Sequence, residues 1–164
     1  YALELFYPSS YFGKLQAAMR GEAGRTDCDS LGWGTNHLLS QKQTTWETTD
    51  AIETVFRHTA KDWDAVAGNL SHLQKMIDFC EEKDIELILI TTPTWHTYYE
   101  RLDTAQLKKS YTIIHTLQSS HPHLRHLDFL KDKRFEADDF YDADHLSELG
   151  AAKLTKYIIQ SIRF

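Results

Sequence analysis

The sequence predicts an α/β fold with a doubly wound, three-layer parallel sheet of the flavodoxin-like type. The first observation is an amphipathic helical pattern that ends in "EEKD" and leads directly into the apolar segment "IELILITT". That segment lacks the alternation of a half-exposed strand, so we expect a strand buried on both faces. The second observation is that another helical pattern and another short strand follow. Helices and strands that alternate in this way are typical of helices packed on both faces of one sheet.

Each element has its own sequence basis. The first helix is predicted to begin at Asn69, whose side-chain oxygen can cap a free N–H of the first turn. The first strand covers residues 85–92. A helix is predicted over 103–118, where apolar residues recur at helical spacing, and a short strand over 123–129. The last helix is predicted from about Ser147 to the end of the chain, with residues such as Leu149 and Leu154 on its buried side.

The earlier part of the chain contains one more helical pattern, "TTDAIETVFRHTAKDWDAVAG". Two or three strands can be placed in all, whereas an independent sheet usually has about four to six. Either the early segments contain further strands, or the visible elements are the later part of a larger domain. No linker or low-complexity tract interrupts the sequence, so we predict a single α/β domain over residues 1–164.

Composition limits the classes of partner. The formal net charge is −6, from 18 Lys and Arg against 24 Asp and Glu, which argues against nucleic acid as a partner. No apolar run approaches the roughly 18 residues needed to cross a bilayer, so no transmembrane segment is predicted. No His-x-Glu or Cys-x-x-Cys spacing occurs, and neither a metal nor a cofactor is predicted. A soluble chain is expected, while its compartment (cytoplasmic, or extracytoplasmic after processing) and its oligomeric state stay open.

A candidate catalytic pair lies in "DDFYDADHLSELGAAKL", where Asp142 precedes His145 by three residues just before the last helix. A carboxylate at this spacing can accept a hydrogen bond from the Nδ1–H of the imidazole. That bond fixes the tautomer and leaves Nε2 free to remove a proton from a nucleophile. Asp144 is adjacent to the histidine and is expected to point in another direction, so Asp142 is the preferred partner.

The segment "DADHLSELGAAKLTKYI" resembles the last block of the SGNH (GDSL-type) hydrolases, Asp-x-x-His followed by a leucine and a helix. The order of helices and strands before it is similar too, so the resemblance covers about residues 69–164. It implies that Asp142 and His145 belong to a Ser-His-Asp triad. The expected enzyme is a serine esterase, lipase or O-acyltransferase that acts on a small-molecule, lipid or carbohydrate ester and needs no cofactor.

The other blocks of that family are matched less well. Its Gly-x-Asn block contributes an amide to the oxyanion hole, and "GTN", Gly34 to Asn36, fits the pattern, with a glycine-rich turn as an equal alternative. Its Gly-Asp-Ser block carries the nucleophile. Only "CDSL" approximates this block, without the glycine and without a buried strand before it. Ser30 is therefore a weak candidate, the nucleophile is not identified, and an upstream position for it is left open.

Two alternatives come from the same residues. The missing Gly-Asp-Ser block favours a non-catalytic SGNH-like domain that retains the fold for binding or interaction. The acidic residues before the last helix could instead coordinate calcium through carboxylate oxygens, but the glycine of a tight calcium loop is absent, which disfavours this site. The acidic residues concerned are Asp138, Asp139, Asp142 and Asp144.

Overall fold

A computed structural model describes residues 37–42, 45–47, 51–60 and 63–162. These residues form a mixed α/β architecture with a parallel sheet of two strands. Residues 37–164 group into one unit, and the extent of the domain over 1–164 stays a prediction. Within the described ranges, no helix combines the length and the apolar character needed to span a membrane.

Helices and strands alternate along the described chain. The longer elements are α1 (Ile52–His58), α2 (Trp63–Glu82), β1 (Leu87–Thr91), α3 (His96–Tyr99), α4 (Thr104–Ser120), β2 (Leu124–Asp128) and α5 (Glu148–Ser161). Single 3-10 turns lie at Leu39–Gln41, Thr45–Glu47 and Ala137–Asp139.

The two strands pair in parallel, with Leu87 opposite Leu124 and Thr91 opposite Asp128. Helices α3 and α4 lie in the connection between them, since parallel strands need a crossover rather than a tight turn. The predicted order of helix, strand, helix and strand is therefore confirmed. Both observed strands lie within the segments predicted for them.

The predicted burial of the first strand on both faces is only partly met. Leu87 and Leu89 pack against the buried cluster that contains Ile77 of α2. Ile90, whose side chain points to the other face, is 41% exposed. The apolar character of "IELILITT" therefore identifies the strand correctly but overstates how much of it is covered.

The helix predicted over residues 48–68 is interrupted, because α1 and α2 are separate helices. The backbone of Thr59 turns to an extended conformation, with ψ of 124°. Its N–H and its hydroxyl both donate to the carbonyl oxygen of Val55, at 2.9 Å and 2.8 Å. The next N–H, of Ala60, donates to Oε1 of Gln106 at 2.7 Å. These bonds satisfy the end of α1 and direct the chain away from the helix axis.

The predicted N-cap at Asn69 is wrong. Helix α2 begins at Trp63, so Gly68 and Asn69 lie inside it. Their low helix propensities cost up to about 1 kcal/mol each. Packing outweighs that cost, because the helix places Ile77 in a buried cluster with residues of α4 and β2. The local capping rule failed because tertiary contacts stabilise a longer helix.

A second buried cluster surrounds Phe140, which is 1% exposed. It joins α1 and the segment before it to α3, α5 and the loop between β2 and α5. The predicted burial of the last helix is confirmed at Leu154, whereas the expectation for Leu149 is wrong, since Leu149 is exposed. The loop that carries the candidate site packs against this cluster through Ala143. Its buried members are Trp46, Ala51, Val55, Tyr98, Phe129, Phe135, Phe140, Ala143 and Leu154.

Candidate functional site

The loop that contains the predicted pair is closed at its base. Phe140 and Leu146 form an antiparallel bridge, and the N–H of Tyr141 donates to the carbonyl oxygen of His145 at 2.9 Å. Between them, Ala143 is 4% exposed and belongs to the cluster around Phe140. The buried alanine therefore anchors the middle of "DADH".

Asp142 holds both the loop and the imidazole. Its Oδ1 accepts the backbone N–H of His145 at 2.8 Å and that of Asp144 at 3.1 Å. The Nδ1 of the His145 ring lies 2.9 Å from Oδ1 and 3.0 Å from Oδ2. The hydrogen bond expected from the three-residue spacing is present, and the same carboxylate organises the backbone that carries the ring.

The His145 ring is also open to solvent, since its side chain is 53% exposed. Because Nδ1 faces a carboxylate, the neutral ring carries its proton on Nδ1 and a lone pair on Nε2. Among the described residues, Nε2 has no hydrogen-bond partner. This arrangement suits a general base that receives its proton from a group outside the loop.

The start of α5 fixes the exit from the loop. The N-cap residue Ser147 accepts the N–H of Gly150 on its Oγ at 3.3 Å. It donates its hydroxyl to the carbonyl oxygen of Asp138 at 2.7 Å and its N–H to that of Asp139 at 2.9 Å. Ser147 is thus a buried structural serine whose hydroxyl already has two partners.

The loop is also joined to the segment after β1. The N–H of Trp95 donates to the carbonyl oxygen of Ala143 at 2.9 Å, and that of Thr94 donates to the carbonyl oxygen of Leu130 at 3.3 Å. These bonds place the Asp142–His145 pair beside the carboxyl end of β1. In α/β folds, ligands bind outside the carboxyl ends of the parallel strands.

A second imidazole stacks on the first. The ring of His37 lies 4.9 Å from that of His145, centroid to centroid, with an angle of 19° between the planes. Tyr141 meets His37 edge to face at 4.9 Å. The segment that carries His37 is tied to α5, because the N–H of Leu39 donates to Oε2 of Glu148 at 2.7 Å. One face of the His145 ring is therefore covered.

Asp144 places a second carboxylate beside the same ring. Its Oδ1 lies 3.5 Å from Nδ1 of His145, so the expectation that Asp144 points elsewhere is only partly met. Burial raises the pKa of Asp144, and the negative charge of Asp142 raises it further. Burial also acts to raise the pKa of Asp142. There the N–H of Asp144 and the charge and hydrogen bonds of His145 outweigh burial, so the pKa of Asp142 is lowered.

The four acidic residues do not gather into the calcium site considered from the sequence. Asp138 faces Lys42, with Oδ1 and Nζ 3.6 Å apart. Asp139 binds Nζ of Lys153 at 2.6 Å. Each of these two carboxylates therefore has a lysine as its partner, which leaves only half of the predicted ligand set.

Asp142 and Asp144 do lie close enough, together with His145, to offer three ligand atoms within 4.8 Å of one another. However, a cation bound to Nδ1 of the ring would replace the hydrogen bond between that atom and Asp142. If the cation used Oδ1 of Asp142, it would also compete with the two backbone N–H groups of the loop that this oxygen accepts. The arrangement therefore suits an oriented imidazole better than a metal centre.

Comparison with known proteins places the chain in a family. Residues 49–162 match the profile of a family described as a protein of unknown function, DUF1574. The chain belongs to the DUF1574 family. Neither the curated proteins nor the solved structures give a match. The matched segment of this DUF1574 protein contains the whole Asp142–His145 loop and all the helices and strands from α1 to α5.

Three predicted site residues of this DUF1574 chain, Ser30, Gly34 and Asn36, lie outside the described residues, and their roles stay predictions. His37 was not predicted. It directly follows "GTN", but no spacing rule connects it with a histidine near the other end of the chain. Ala143 was not predicted either, because the sequence shows there only a small apolar residue between two acids.

Proposed function

We propose that this protein is an SGNH-type serine esterase or lipase, or an O-acyltransferase, in which Asp142 orients His145 and His145 acts as general base. The observation that carries the proposal is the bond between Asp142 and Nδ1 of a half-exposed ring. A bond of this kind forms the base half of a Ser-His-Asp triad, and the resemblance of residues 69–164 to SGNH hydrolases supplies the reaction class.

The proposed reaction uses Nε2 twice. The serine Oγ bonds to the acyl carbon while its proton passes to Nε2, and the ester C–O bond breaks as the leaving oxygen takes that proton. Water, or the hydroxyl of an acceptor, then gives a proton to Nε2 and attacks the acyl-enzyme. Its oxygen bonds to the acyl carbon, the bond to serine Oγ breaks, and the proton returns to the serine. Water gives hydrolysis, and an acceptor hydroxyl gives acyl transfer.

The proposal also includes a nucleophile and an oxyanion hole. The nucleophile is not identified: Ser30 is only a weak candidate within this sequence, and an upstream serine is left open. Asn36, with Gly34, is the candidate oxyanion donor, and it directly precedes His37 in the sequence. We further propose that β1 and β2 are two strands of a doubly wound, three-layer parallel sheet. The position of the pair beside the carboxyl end of β1 supports that fold.

The proposed substrate is a neutral ester of a small molecule, lipid or carbohydrate. The chain has a net charge of −6, and two carboxylates flank the proposed catalytic histidine. Both features disfavour a polyanionic substrate such as nucleic acid.

A non-catalytic binding domain is the second candidate. The observation that favours it is that, among the described residues, no serine hydrogen-bonds to His145. Ser147, the serine nearest in sequence, is buried and engaged in capping α5. In this case the fold would present the loop for recognition rather than for chemistry.

A fluorophosphonate probe applied to the full-length protein separates the two candidates. An activated serine forms an Oγ–P bond, fluoride leaves, and the serine proton passes to His145. We expect labelling that disappears in His145→Ala and persists in His115→Ala, which removes an exposed histidine of α4. Mass spectrometry of the labelled peptide then identifies the serine. Labelling that survives His145→Ala contradicts the proposal, and no labelling of the unsubstituted protein favours the binding domain.

A further inference from the structure

We propose that Asp144 is a positioning residue, a second carboxylate that acts on the Nδ1 side of His145 and links this ring to His58 and Tyr98. The inference rests on the proposed function, because it concerns the protonation of the same histidine. It goes beyond the Asp-x-x-His pattern, which specifies no residue at the position of Asp144.

The geometry places Asp144 between two imidazoles. Its Oδ1 lies 3.5 Å from Nδ1 of His145, and its Oδ2 lies 3.8 Å from Nδ1 of His58. The side chain of Asp144 is 10% exposed, whereas the side chains of the two histidines are 53% and 46% exposed. Asp144 is therefore a largely buried acid that faces two rings open to solvent.

The link continues into the core through His58. Its Nδ1 is hydrogen-bonded to the hydroxyl of Tyr98 at 2.9 Å, and the two rings meet edge to face. Tyr98 is 8% exposed and belongs to the cluster around Phe140. Burial raises the pKa of Tyr98, and the charge of Asp144 raises it further, so the hydroxyl keeps its proton. Tyr98 thus restrains His58 on the side of Asp144.

The charges around Asp144 explain how it can act. Within the described chain, Asp142, His145 and His58 are the titratable groups that face it, with Tyr98 behind His58. Burial and the charge of Asp142 favour the protonated carboxyl, while positive charge on His145 or His58 favours the carboxylate. When His145 takes a proton from the nucleophile, the ionised form of Asp144 becomes more favourable. That anion then stabilises the imidazolium beside it.

A structural role alone would make a different prediction. If Asp144 only filled a polar space, the isosteric change Asp144→Asn would leave the protonation of His145 unchanged. If the carboxylate acts on the ring, its loss must make the imidazolium less favourable. The titration of the ring, rather than the stability of the fold, therefore distinguishes the two roles.

The experiment is an NMR titration of the full-length protein with labelled histidine and aspartate. We expect Asp144→Asn to lower the midpoint of the His145 ring titration relative to that of the parent protein. The matched control is Asp138→Asn, which removes the same charge from an 81% exposed side chain and should leave the midpoint unchanged. An equal midpoint in Asp144→Asn and in the parent protein overturns the proposal.

Two further measurements keep the test decisive. In the unsubstituted protein, the His145 resonances should show a second inflection at the pH where the Asp144 carboxyl titrates, a result that needs no variant to fold. His58→Gln should raise the pH at which Asp144 titrates, because a neighbouring positive charge is lost. The absence of either effect contradicts the link. None of these readouts uses the serine, so a failed fluorophosphonate label with intact coupling rejects the proposed function and leaves the coupling of Asp144 to His145 standing.

Discussion

Gly150, in the first turn of α5, lies directly against the backbone of Asp139. A Cβ atom at position 150 would overlap the carbonyl oxygen of Asp139 and stand 2.8 Å from its carbonyl carbon. That carbonyl oxygen also accepts the N–H of Ser147. The absence of a side chain at Gly150 is thus what allows the helix to approach the loop that precedes the site.

We expect Gly150→Ala to destabilise the protein by at least about 2 kcal/mol, because the added methyl group meets backbone rather than a flexible side chain. Urea unfolding followed by circular dichroism measures this free energy. The matched control is Gly68→Ala in α2, where a Cβ meets nothing within 4 Å. The control should stabilise the helix by roughly 0.5–1 kcal/mol, since alanine is the better helix former. Equal effects of the two changes would contradict the close approach.

Asp142→Asn should preserve the loop and impair the proposed general base, His145. The amide oxygen can still accept the backbone N–H groups of Asp144 and His145, while the amide NH2 faces Nδ1 of the ring. Nδ1 must then accept, and the ring proton moves to Nε2, which can no longer take a proton from serine. We expect fluorophosphonate labelling to slow by about 10⁴-fold.

The tautomer itself can be measured by ¹⁵N NMR of the His145 ring, where the proton should shift from Nδ1 to Nε2 in Asp142→Asn. Asp138→Asn serves as the control and should leave both the tautomer and the labelling rate unchanged. Labelling at the parent rate with the altered tautomer would show that His145 is not the base.

Asp144 should make stability depend on pH in a defined direction. Its pKa in the folded chain is raised above the ordinary value of 3.8. As the pH rises above about 3.8, the unfolded chain releases this proton first, and the folded state loses stability until the pH passes the folded pKa. The asparagine side chain in Asp144→Asn cannot ionise. Its free energy of unfolding, relative to the parent protein, should therefore rise from about pH 4 upward and then level off.

Urea unfolding at a series of pH values measures this difference. Asp142→Asn supplies the opposite case, because the pKa of Asp142 is lowered in the folded chain. Asp142 contributes stability that is present above about pH 3.8 and is lost as the pH falls through its folded pKa. The relative stability of Asp142→Asn should therefore decrease as the pH rises. A flat difference for Asp144→Asn would mean that the buried carboxyl has an ordinary pKa.

The Asp142–His145 bond is predictable from sequence because it is local. Three residues of loop bring the carboxylate to the ring, and the sequence itself specifies that spacing. The order of β1, α4 and β2 is predictable for a similar reason, since apolar periodicity belongs to each segment separately.

Features that depend on distant parts of the chain are not predictable in this way. The stacking of His37 on His145 requires a contact between residues far apart in sequence. The burial that raises the pKa of Asp144 comes from the packing of the loop against other elements. Asn69 is a case in which a local prediction fails: the capping rule predicts a helix start there, but the packing of Ile77 stabilises a longer helix.

The three N–H groups that converge on Oδ1 of Asp142 give this position two separate reasons to persist through evolution. If the proposed ester chemistry is correct, a descendant that abandoned it would still need the carboxylate to fold its loop. The imidazole of His145 makes no comparable contribution to the loop backbone, since the bonds there use the backbone N–H and carbonyl oxygen of this residue. Across relatives of this chain, substitutions at His145 should therefore accompany loss of the proposed activity, while Asp142 should be retained.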